Sequence, residues 1–76
     1  MKIKRENDKI ILHLHKDLYR DDCIDKAIRD FEHICKIKSG ENEKYFLIEF
    51  AGAEESEELA MEFANYVLSL LKISGE

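Results

Sequence analysis

The stretch from Glu54 to Ile73 constrains the fold more than any other part of the chain. Glutamates lead there into Leu59, Ala60, Met61, Phe63, Ala64, Tyr66, Val67, Leu68, Leu70 and Leu71. At about 100° per residue these apolar side chains spread over roughly 220° of a helix, about twice the stripe that one core contact needs. Such a helix calls for two partners. Leu59, Phe63, Tyr66, Val67 and Leu70 form the arc expected against a sheet, while Met61 and Leu68 stack in a line outside it. Either the first helix covers that line, or it stays open to a second copy or another polypeptide. In the open case the stripe Met61, Asn65, Leu68 and Lys72 is the expected partner-binding surface.

The rest of the chain predicts what the helix packs on. Lys9 to His15 alternates, with Ile10, Leu12 and Leu14 on one face and Ile11, His13 and His15 on the other, which is the pattern of a half-buried strand. Lys2 to Arg5 reads as a shorter strand, joined to it by Asn7-Asp8, residues that tolerate left-handed turn geometry. After Tyr19 the period changes to 3.6: Ile24, Ala27, Ile28, Phe31, Ile34 and Cys35 make an ordinary one-sided stripe of about 120°. Asp21 and Asp22 fall in the first turn of that helix, where negative charge meets the positive end of its dipole. Ile37, a five-residue loop over residues 39–43, and the dense run Tyr45 to Phe50 then read as a second hairpin, with Phe46, Ile48 and Phe50 facing the helices and Gly52 ending the strand. The order strand, strand, helix, strand, strand, helix predicts an α+β two-layer sandwich, an antiparallel sheet of about four strands with two helices on one face. Its far face would carry Ile11, His13, His15, Tyr45 and Leu47, a mixture apolar enough to be sticky, so this exposed face or the open edge strand of the N-terminal hairpin is an alternative to the last helix as a partner-binding surface.

Seventy-six residues make one domain, residues 1–76, because a chain this short buries only about 60% of the surface its unfolded form exposes. Cys23 and Cys35 would lie about 18 Å apart along one helix, too far for a bridge, and read as reduced thiols. The charged N-terminus does not resemble a signal peptide, and no run of about 18 apolar residues occurs. A cytoplasmic protein with no membrane partner is expected. Residues 1–38 carry ten basic against eight acidic residues, and residues 39–76 two against nine. That balance disfavours nucleic acid, whose sequence-independent affinity comes from a basic patch.

Residues that could carry chemistry have plainer explanations. His13 and His15 would sit about 6.6 Å apart on one strand face, close enough to share a metal ion with His33 or a cysteine. No Cys-x-x-Cys or His-x-x-x-His pair supports that reading, and none of the three is expected to bind a metal. Cys23 lies near a helix N-terminus, but Asp21, Asp22 and Asp25 oppose its thiolate. The glutamates of the last helix are accounted for by its dipole, and the three glycines are isolated and form no phosphate cradle. The sequence therefore predicts a protein that is not an enzyme and has neither cofactor nor catalytic residue. A metal- or thiol-dependent enzyme using His13, His15 and Cys23, and a plain homodimer, are the alternatives.

Leu18-Tyr19, Ile24, Lys26-Ala27, Phe31, the strand around Phe46 to Phe50, and Glu62-Phe63-Ala64-Asn65-Tyr66-Val67-Leu68 together resemble the HxsD-like family, the small D proteins of the His-Xaa-Ser peptide-modification systems. The likeness spans about residues 9–70. It implies an accessory role beside a radical SAM maturase in making a modified peptide, and it implies no catalytic residue.

Overall fold

The computed structural model describes residues 2–51 and 56–74, and these form an α+β fold. Its elements are β1 (Lys2–Glu6), β2 (Lys9–His15), α1 (Asp21–Phe31), β3 (Lys36–Glu41), β4 (Tyr45–Ala51) and α2 (Ser56–Ser74). The strands make one antiparallel sheet in the order β1-β2-β4-β3, so β2 and β4 are central and both edges are hairpin partners. Gly52, expected to end the strand, and Glu54 and Glu55, expected to begin the last helix, lie outside the described residues.

The alternation in β2 sets the two faces of the sheet. Ile10, Leu12 and Leu14 are buried, and register brings Ile10 opposite Phe50, Leu12 opposite Ile48 and Leu14 opposite Phe46. Both helices close over this face. Cys23, Ile24 and Ala27 of α1 and Ala60, Phe63, Ala64 and Val67 of α2 complete the core. Phe63 joins the layers, its ring meeting Phe50 of β4 at 5.4 Å and Phe31 of α1 at 5.3 Å, both edge to face. The β1–β2 turn rests on Asn7, whose φ of 54° lies in the left-handed region. Asparagine reaches that region at little cost because its short amide bonds locally.

Two boundaries differ from the sequence expectation. α1 stops at Phe31, so Ile34, expected on its buried stripe, is 55% exposed, although Cys35 still packs partly against the core. The chain needs residues 32–35 to turn, because β3 must begin at Lys36 for Ile37 to pair with Phe50 and cover the sheet's helix face. The loop expected over residues 39–43 is shorter. Ser39, Gly40 and Glu41 continue β3 opposite Ile48, Leu47 and Phe46. Asn42 makes the tighter turn possible: its Oδ1 accepts from the N–H groups of Lys44 (3.0 Å) and Tyr45 (2.8 Å), and its own N–H donates to the Tyr45 carbonyl.

The turn yields a stability test. Asn7→Gly is expected to leave the urea midpoint unchanged or higher, whereas Asn7→Val, which places a β-branched side chain at positive φ, should cost about 1–2 kcal/mol. Equal effects from the two would show that the left-handed turn is not populated.

Candidate functional site

The surplus arc of α2 is used unevenly. Tyr66 and Leu70 flank the buried stripe on the side of α1, where the Phe31 and Tyr66 rings lie 5.6 Å apart and the Tyr66 hydroxyl donates to Asp30 Oδ2 at 2.5 Å. Asp30 also accepts from Lys26 Nζ at 3.1 Å. These two hydrogen bonds, from Tyr66 first and Lys26 second, hold the Asp30 carboxyl below the usual carboxylate range, and the same contact pushes the Tyr66 phenol up. α1 therefore closes one flank of α2.

It leaves the other flank open. Met61 is 49% and Leu68 40% exposed, and Asn65 and Lys72 between and beyond them are exposed as well. Burial of this line by the first helix, one of the two outcomes the sequence allowed, is ruled out. The geometry of Glu57 explains why. Glu57, Met61 and Leu68 fall on one line of the helix surface, and Glu57 Oε2 lies 3.8 Å from Arg5 Nε, which places that line on the β1 side of α2, away from α1. Spacing of i, i+4, i+7 and i+11 makes Met61, Asn65, Leu68 and Lys72 one stripe about 16 Å long. Within it the Asn65 carbonyl accepts a hydrogen bond from Ser69 Oγ at 3.2 Å.

The far face of the sheet is the second open surface, and its members are those the alternation predicted. Register sets His15 beside Tyr45, His13 beside Leu47 and Ile11 beside Glu49. All are half-buried. His13 and His15 meet the same Tyr45 ring edge-on, at 5.8 and 5.0 Å, and His15 Nδ1 accepts from the Asp17 N–H at 3.1 Å. The imidazoles are thus engaged with a phenol and a backbone amide, and His33 lies exposed beyond the end of α1. Among the described residues no three His, Cys, Asp or Glu side chains are placed to hold a metal ion.

Cys23 and Cys35 are free thiols. Cys23 is buried, and its N–H donates to Asp22 Oδ1 at 2.9 Å; burial pushes the Cys35 thiol up, which opposes nucleophilic use. No described helix is long and apolar enough to cross a membrane. Comparison with family models, with characterised proteins and with solved structures finds no match.

The sequence did not single out the lysines that surround the far face. Lys-Ile-Lys occurs twice, as Lys2-Ile3-Lys4 and Lys36-Ile37-Lys38, once on each edge strand. Each isoleucine packs against the core and each lysine points outward. The signal was present as a period of two, but only the register shows that the copies border one surface.

Burial lowers the His13 pKa below its ordinary 6.5, and the charges of Lys4 and Lys2 lower it further. Because the folded value is the lower one, stability from this group is complete above pH 6.5 and is lost as pH falls through the lowered value. An NMR titration should show His13 protonating below 6.5, and Lys2→Gln with Lys4→Gln should raise its pKa only part of the way, burial being the larger cause. A midpoint above 6.5 would contradict this environment.

Proposed function

We propose that this protein is a non-enzymatic cytoplasmic adaptor that docks a polypeptide partner on the outer stripe of α2. The observation that carries the proposal is the exposure of Met61 and Leu68 on a helix whose other flank is closed by α1. Two large apolar side chains in line, with Asn65 between them and Lys72 at the end, suit a helix or strand laid along α2. Met61 adds adaptability, since an unbranched thioether repacks readily against different surfaces. The acidic Glu57, Glu58 and Glu62 around the stripe favour a partner with basic residues at its rim. The resemblance to protein D of the His-Xaa-Ser systems supports the same role and suggests what the partner is: a precursor peptide or the radical SAM enzyme that modifies it.

Met61→Glu with Leu68→Glu separates this reading from a structural one. Both side chains being exposed, the double variant should keep the far-UV spectrum and lose no more than about 1 kcal/mol in urea unfolding. It should fail to retain the proteins that co-purify with the native chain. Gross unfolding would show that the stripe belongs to the core. Light scattering on the wild type tests the homodimer: a dimer that the double variant dissociates would assign the stripe to a second copy.

A further inference from the structure

Charge in this fold is sorted by layer as well as along the chain. The far face of the sheet carries Lys2, Lys4, Lys9, Lys36 and Lys38 against Glu6 and Glu49, a net positive surface on a chain whose net charge is −5. Lys9 pairs with Glu49 at 3.4 Å. Among the described residues Lys2, Lys4, Lys36 and Lys38 form no ion pair. They stand in two columns, on β1 and β3, about 14 Å apart across the sheet. Between them run Ile11, His13, His15, Tyr45 and Leu47.

The surface also has a built depression. Gly40 sits on this face opposite Leu47, and a Cβ placed on it would meet nothing within 4 Å. Gly40 lines an open depression of about 310 Å³ that is walled by Ile11 and Leu47 and bordered by Lys38 and Glu49. Edge lysines alone would be accounted for as a guard against strand-to-strand aggregation. They do not account for an apolar pit and an aliphatic centre between them.

We infer that the far face of the sheet is a docking surface for an acidic polypeptide segment that places an apolar side chain in the Gly40 depression and carboxylates over the two lysine columns. This surface is separate from the α2 stripe and does not depend on it. Charge complementarity selects an acidic ligand. The ring geometry selects polypeptide over single-stranded nucleic acid: His13 and His15 stand at 77° and 73° to Tyr45, so each imidazole meets the phenol edge to face and neither pair offers a coplanar platform for stacked bases. Glu6 and Glu49 on the same face, and the acidic helices behind it, disfavour the dense charge of a phosphate backbone further.

The test uses the full chain, ¹⁵N-labelled, titrated with a synthetic peptide of about twelve residues composed of Asp, Glu, Leu and Phe, long enough to cross the sheet in extended form. Amide shifts are expected at Ile11, His13, Gly40 and Leu47. Affinity should fall about tenfold in Lys2→Glu/Lys38→Glu, and should fall as salt rises from about 50 to 300 mM. Gly40→Val fills the depression at a strand position that accepts a β-branched residue, so it should fold as stably as wild type and bind several-fold more weakly. Met61→Glu/Leu68→Glu should bind the peptide as wild type does, which keeps failure here distinct from failure of the adaptor reading. Absence of shifts on this face, or equal shifts with a peptide in which Lys replaces Asp and Glu, would overturn the inference. Tighter binding of an oligouridylate at the same residues, or concentration-dependent shifts there without any peptide, would also overturn it, assigning the face to nucleic acid or to a second copy.

Discussion

Everything in this fold converges on the ring of Phe63. It is buried, touches Phe50 on a central strand and Phe31 on the other helix, and so ties both members of the helical layer to the sheet at one point. Edge-to-face pairs of this kind contribute about 0.5–1.5 kcal/mol each beyond the area they bury. In a domain whose whole core supplies about 3–5 kcal/mol, two such contacts on one side chain weigh heavily. They also fix geometry: with Phe63 turned to Phe31, Tyr66 one turn later meets α1, and the opposite flank of α2 turns towards β1. The open stripe follows from where that ring is held.

Most of the architecture was legible in the sequence because its elements carry unmixed periods. Ile10, Leu12 and Leu14 could be assigned to one face and Ile11, His13 and His15 to the other without knowing any partner, since a period of two has only two faces. The ends of elements were less legible. Ile34 continues the helical stripe of α1 in sequence, yet the chain has to turn before it so that Ile37 can meet Phe50; the requirement comes from β4 and is invisible in the local pattern. Ser39-Gly40-Glu41 has loop composition but is drawn into β3 because Asn42 closes the turn with its side chain.

The candidate surfaces divide the same way. The line of Met61 and Leu68 is a property of one helix and could be read from its wheel, but its exposure depends on the crossing of α1 and could not. The basic face was hidden by averaging. Splitting the chain into halves leaves the first nearly balanced, because outward lysines of β1 and β3 are summed with the aspartates of α1. Folding puts them on opposite sides of the molecule. The domain thereby presents an acidic helical layer with one open apolar stripe and a basic sheet face with an aliphatic centre, two surfaces of opposite sign and unequal chemistry.

Solvent relaxation enhancement measures the uneven use of α2 without any partner. With a neutral gadolinium chelate in solution, the Met61 and Leu68 methyl signals should broaden strongly, while those of Ala60, Ala64 and Val67 on the same helix stay sharp. Met61 and Leu68 protected to the same degree as Val67 would contradict the account, because the flank it leaves open would then be covered.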